Sequence, residues 1–111
     1  MISVWFYKND NDAVYGFRIN NHGNPIVCSA VSALSISCAN SLEAFTDCAL
    51  MLDYNEKGGK MKLAVGELQD GGAHFEAELL LKSMELGIGS VRDSYPNELE
   101  VKYKKNQSIK F

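Results

Sequence analysis

At 111 residues the chain is long enough for one domain that buries about two-thirds of the surface its unfolded form exposes, and residues 1–111 are read as that single domain. A composition of 46% hydrophobic and 23% charged residues is that of a globular protein, and no unbroken apolar run approaches the roughly 18 residues of a membrane span. The formal net charge of -3 argues against a protein that holds nucleic acid through overall positive charge, and the one basic cluster, Lys102, Lys104, Lys105 and Lys110, reads as a solvated strand edge and tail.

The start, Met1 to Lys8, has no basic stretch ahead of a long apolar core and reads as mature structure rather than a signal peptide. Residues 2–8 and 13–19 are rich in Val, Ile, Phe, Tyr and Trp and are separated by Asn9-Asp10-Asn11-Asp12, which predicts a β-hairpin. Ile2, Val4 and Phe6 form one row and Trp5 and Tyr7 the other, so both faces are apolar; the second is expected to be covered, with a partner subunit as the candidate cover. Residues 26 to about 46 step by four and three through Val27, Val31, Leu34, Cys38, Leu42 and Phe45, which predicts a helix with that row buried. Pro25 suits its first position and Asn24 its N-cap, while Ser29, Ser32, Ser35 and Asn40 lie off the row and are expected in solvent.

Residues 48–55 and 60–67 predict a second hairpin around Lys57-Gly58-Gly59, with Leu50, Leu52, Met61, Leu63 and Val65 as its apolar content. After Gly71-Gly72, residues 73–94 predict a second helix on Ala77, Leu81, Met84, Ile88, Val91 and Tyr95, weakened near its end by Gly87 and Gly89. Leu99, Val101 and Tyr103 alternate with Glu98, Glu100 and Lys102 as a final half-exposed strand. The order ββαββαβ fits an α+β fold, a two-layer sandwich of two helices on a mostly antiparallel sheet.

Three cysteines, Cys28, Cys38 and Cys48, show no Cys-x-x-Cys or Cys/His spacing of a zinc site, so no metal and no cofactor are expected. Cys28 and Cys38 on one helix stand about 15 Å apart, beyond disulfide reach, and all three read as free thiols of a reducing, cytoplasmic compartment. Cys38 falls in the buried row and reads as a small core residue. Cys28 lies beside that row, just inside the helix start, where unpaired backbone N–H groups and the positive dipole end favour a thiolate. His22 precedes it in a loop whose Gly23 and Asn24 can turn the imidazole back toward the sulfur, giving the two parts of a thiolate nucleophile. From spacing alone, a buried inert Cys28 and a partnerless surface His22 stay open as alternatives. His74, at the start of the second helix, is expected to face water. Gly58-Gly59 and Gly71-Gly72 fit no phosphate-loop pattern, and Asp47, Asp53, Glu67 and Asp70 form no acid–base pair.

Phe17-Arg18-Ile19-Asn20-Asn21-His22 and Pro25-Ile26-Val27-Cys28-Ser29-Ala30-Val31-Ser32-Ala33-Leu34 resemble the ribosomal-processing cysteine proteases called Prp. Members of that family carry a strand ending in Phe-x-Val-x-Gly-His, a flexible loop, and then Asp-Ile-Val-Cys-Ala-Ala-Val-Ser-Ala-Leu. The likeness runs more weakly through Tyr95-Pro96 and Leu99-Glu100-Val101. It implies a homodimeric cysteine endopeptidase with Cys28 as nucleophile and His22 as general base. The implied partner is a protein with a cleavable N-terminal extension, cut after an aromatic residue: a ribosomal large-subunit protein, or a phage capsid or scaffold protein if the member is prophage-borne. Direct contact with nucleic acid or a membrane is not expected. The oxyanion is expected on backbone N–H groups at the helix start, that of Cys28 included, because helix starts leave such donors unpaired. The chain departs from the family in three places: its loop between His22 and Cys28 is shorter, Pro25 stands where the family has aspartate, and Asn21 stands where it has glycine. Asn21 and Asn24 are the candidates to orient His22 in the missing acid's place. A catalytically inactive homodimeric binding module of the same fold is the alternative reading.

Overall fold

The computed structural model describes residues 1–55 and 57–111. Strand β1 (Ile2–Lys8) turns into β2 (Val14–Asn20) through Asn9, whose buried side chain accepts from the N–H groups of Asn11 and Ala13 and donates to the carbonyl of Leu68. There follow α1 (Pro25–Phe45), β3 (Leu50–Asn55), β4 (Lys60–Val65), a single-turn helix α2 (Gly66–Gln69), α3 (Phe75–Ser94) and β5 (Leu99–Lys105). The strands form one sheet in the order β3-β4-β2-β1-β5. All neighbours are antiparallel except β1 and β5, which run parallel with Val4 beside Val101 and Phe6 beside Tyr103. The two-layer α+β arrangement expected from the sequence is the one found, with α2 as an addition. Four residues are too few to leave a periodic trace, and α2 is held by burial of Leu68 instead.

The core lies between the sheet and the two long helices. Period-two alternation sends Ile2, Val4, Phe6, Phe17, Ile19, Met61 and Leu63 to the helical side, and Val27, Val31, Cys38 and Leu42 of α1 and Ala77, Leu81, Met84 and Ile88 of α3 meet them. Burying each large side chain among these removes it from water for about 1.5–3 kcal/mol. The helices pack antiparallel: Leu34 lies on Gly87, and the Cys38 thiol points at the carbonyl of Leu80, 3.8 Å away. Gly87 therefore permits a close helix contact, and α3 continues past it to Ser94.

Several expectations need correction. Phe45, assigned to the buried row, is 71% exposed: it is the final residue of α1, and the buried row stops at Leu42. Ser35 is buried rather than solvated, its hydroxyl satisfied by the carbonyl of Ser32. The apolar content of β3 is largely exposed, as Leu52 and Tyr54 lie on an edge strand beyond the helices. Helix α1 does reach the length and mean hydropathy, 1.5, of a membrane span, since Glu43 is its one charged residue; its Val27 to Leu42 row is nevertheless the floor of the sheet's core. The Tyr7 and Tyr15 part of the first hairpin's second face is covered by the chain's own C-terminal tail: Ile109 is buried there and Gln107 accepts a 2.7 Å hydrogen bond from the Tyr15 hydroxyl, while Trp5 stays half-buried.

Candidate active site

The start of α1 is built as its sequence demands. Asn24 caps the helix, its Oδ1 accepting from the N–H groups of Ile26 (2.9 Å) and Val27 (3.4 Å), and Pro25 occupies the first turn, where its missing N–H is no loss. The N–H of Cys28 makes the first helical bond, to the carbonyl of Asn24 at 2.8 Å. Cys28 is thus fixed in the first turn, partly buried, beside the fully buried Val27. The expectation that its N–H is free to hold an oxyanion is overturned: the three donors of this turn are all engaged, two by the cap and one by the helix itself.

His22 leaves the end of β2 through Asn21, which has φ 78°. That is the left-handed region, which glycine adopts freely and which Asn tolerates best among residues with a side chain. Asn21 therefore suits the left-handed backbone turn that leads into His22. The ring meets the β3–β4 turn, with Nε2 3.1 Å from the carbonyl of Lys57. A carbonyl only accepts, so Nε2 carries the proton and donates, and the neutral ring's lone pair is on Nδ1. Gly59, at φ 61°, completes the seat: a Cβ on it would stand 2.8 Å from Nε2. The orienting group is therefore a backbone carbonyl from a turn 35 residues away. Asn24 is committed to the helix cap, and Asn21 serves through its backbone conformation. Neither has the role for which the sequence made it a candidate.

Cys28 and His22 line one cavity of about 300 Å³, with Ser32 and Ser35 of α1 and Tyr54 and Met61 of the β3–β4 hairpin on its walls. Among the described residues no hydrogen bond joins Sγ of Cys28 to His22; catalytic hydrogen bonds of unliganded enzymes commonly form only with substrate in place. The other chemistry-bearing residues are elsewhere. His74 is the N-cap of α3, its Nδ1 accepting from the N–H of Ala77. Cys38 is buried, which pushes its thiol up to about 12, and all three cysteines are free. What the sequence reading missed is the part played by Lys57 and Gly59: Lys57-Gly58-Gly59 signalled a turn, but a carbonyl's target leaves no signature in residue type.

A family model described as cysteine protease Prp matches residues 1–100. The ribosomal processing cysteine protease Prp of Bacillus subtilis is 28% identical over 107 residues, covering 91% of this chain and 96% of its own. That of Staphylococcus aureus is 24% identical over 110 residues, covering 94% and 100%. Among solved structures, the Staphylococcus aureus protease with a covalently linked product peptide superposes with a TM-score of 0.82 at 24% identity, over 94% of this chain and all of that one. A Streptococcus mutans protein superposes at 0.81 with 26% identity, over 96% of both chains.

Proposed function

The chain belongs to the cysteine protease Prp family, and on that premise we propose that it is a cysteine endopeptidase in which Cys28 is the nucleophile and His22 the general base. The observation that carries this reading is the shared cavity, with Nε2 of His22 tied to the Lys57 carbonyl so that Nδ1 is the atom left to take a proton. In the reaction, Nδ1 accepts the Sγ proton and the thiolate attacks the scissile carbonyl carbon. Collapse of the tetrahedral adduct breaks the C–N bond, and Nδ1–H delivers its proton to the departing amine. Water, deprotonated by Nδ1, then cleaves the thioester, and the proton returns to sulfur. Because the first-turn N–H groups are engaged, the oxyanion draws on the positive end of the α1 dipole until substrate competes with Asn24 for them.

The substrate in this reading is a protein with a short N-terminal extension that ends in an aromatic residue. A ribosomal large-subunit protein is favoured because the curated relatives are ribosomal processing proteases. A phage structural protein is the second choice, and a homodimer is the working assembly. A quenched-fluorescent peptide of the cognate extension tests the activity: wild type cleaves it, Cys28→Ala does not, and His22→Ala loses roughly 10²–10⁴-fold. A folded wild type that neither cleaves nor forms a thioester, yet binds the peptide, would instead favour the inactive binding module.

A further inference from the structure

The face of the sheet turned away from the helices carries a charge pattern that the net charge hides. Strand register places Lys62, Arg18, Trp5 and Lys102 in one row across β4, β2, β1 and β5. Lys62 and Arg18 are direct cross-strand neighbours of like sign, an arrangement that weakens a sheet. Three cations crowd the Trp5 ring: Lys104 Nζ at 4.8 Å, Lys102 Nζ at 5.0 Å and Arg18 Cζ at 5.3 Å from its centroid. Between this row and the C-terminal tail lies a concavity of about 300 Å³ lined by Arg18, Lys62, Lys104 and Lys110 beside Tyr7, with no carboxylate on its walls; Nζ of Lys62 donates to the Lys110 carbonyl at 2.8 Å, a bond that a phosphate would replace. Nε of Arg18 is buried there without a hydrogen-bond partner among the described residues. The carboxylates on this face are at its margins: Asp53 opposite Lys62 on the edge strand, and Glu100, which pairs with Lys102 at 3.8 Å and accepts from the Ser3 hydroxyl.

We propose that this face binds single-stranded nucleic acid, its phosphates lying on Arg18, Lys62, Lys104 and Lys110 and a base stacking on Trp5. Two arguments choose this occupant over an acidic protein segment. First, an extended peptide is recognised through main-chain hydrogen bonds at a sheet edge, and this row lies on the sheet's face, where the ladders consume the backbone groups. Between those marginal carboxylates the face offers cations and rings, the two features that a phosphodiester chain with free bases uses. Second, the ammonium groups that shield the indole are those that phosphates would draw away, so engaging the backbone opens the ring to a base. The expectation against nucleic acid came from total charge, and period-two alternation on β4, β2, β1 and β5 is what gathers the cations on one side. This inference does not rest on the proteolytic reading, since the row is built from strand residues that do not line the Cys28 cavity.

Trp5 is the sole tryptophan, so its emission reports the site directly. Oligouridylate of about 12 nucleotides titrated into the intact protein should quench Trp5 saturably, with log affinity falling against log salt at a slope of about -2 for three phosphates engaged. Lys62→Gln/Lys104→Gln should weaken binding at least about tenfold and flatten that slope, whereas Lys82→Gln, on α3, should change neither. Polyglutamate run in parallel should leave the emission unmoved. The proposal fails if oligouridylate gives no saturable quench, if the double variant binds like wild type, or if polyglutamate quenches equally, which would make the face a site for acidic protein. Circular dichroism of the double variant separates loss of binding from loss of fold.

Discussion

Replacing Gly59 by alanine tests whether the β3–β4 turn positions His22. The substitution has two effects that can be told apart. Alanine at φ 61° costs about 1–2 kcal/mol of backbone strain. Its Cβ would also sit 2.8 Å from Nε2 and 2.9 Å from Cδ2 of His22, so the ring must move by more than half an ångström to reach the ordinary contact range that begins at 3.4 Å. The exposed imidazole yields more readily than the backbone, and the 3.1 Å bond to Lys57 is what it gives up. Gly71 is the control, with φ 91° and nothing within 4 Å of its would-be Cβ, so Gly71→Ala carries the strain without the collision. Both variants should lose roughly 5–10 °C in Tm for a domain of this size. Only Gly59→Ala should lose kcat/KM, by about 10²-fold, the usual consequence of misplacing a catalytic group by about 1 Å. Iodoacetamide alkylation of Cys28, followed peptide by peptide in mass spectrometry across pH, reports the same geometry without a substrate. Its profile in Gly59→Ala should match that of His22→Ala, while Gly71→Ala matches wild type. Equal kinetics and alkylation in the two glycine variants would refute the positioning role.

Other outcomes follow from the same structure. Asn21→Gly should leave activity within about twofold and stability unchanged or slightly raised, because φ 78° suits glycine, whereas Asn21→Val should cost about 1–2 kcal/mol in denaturant unfolding. Asn24→Ala removes the cap of α1 and should cost about 1 kcal/mol, read from the urea midpoint. Stability should fall on alkaline titration from pH 9 to 12. Burial holds the Cys38 thiol at about 12 in the folded chain against 9.0 when free, so the unfolded state loses its proton first and the native advantage, complete below pH 9, is gone by pH 12. Cys38→Ala should flatten that part of the curve in thermal melts at each pH. Ile109→Ala should cost about 2–4 kcal/mol and expose Tyr7 and Tyr15, seen as a change in tyrosine emission.

The elements and their order were legible because each long segment carries its own period. The rows Val27-Val31-Cys38-Leu42 and Ala77-Leu81-Met84-Ile88 are buried as their spacing demands, and Asn24-Pro25 caps α1 as read. Ser35 and Phe45 escaped because their burial depends on where the sheet lies beneath the helix, which no helical period encodes. The tail escaped for a related reason: Ile109 is one apolar residue among polar neighbours, and its value comes from meeting Tyr7 and Tyr15 across the chain. At the cavity, residue types pointed to Cys28 and His22 as candidates, which the fold brings to one cavity, while the group bonded to the ring is a carbonyl, possessed alike by every residue.

In the proposed reading, that last point explains how the chain seats His22 while departing from its family at Pro25 and Asn21. An aspartate three residues before the cysteine would supply a side-chain acceptor for an imidazole, and its loss is felt only if nothing else accepts from the ring. The Lys57 carbonyl already accepts from Nε2, at 3.1 Å. It belongs to a turn anchored by the β3–β4 ladder, with Tyr54 opposite Met61 and Asn55 opposite Lys60. Position 25 is then free to serve the helix start, where proline fits. The loop from His22 to Cys28 can be short because it need not carry the orienting group. The demand is transferred to Gly59, where any side chain would unseat the ring, and to the left-handed turn at Asn21 that delivers it.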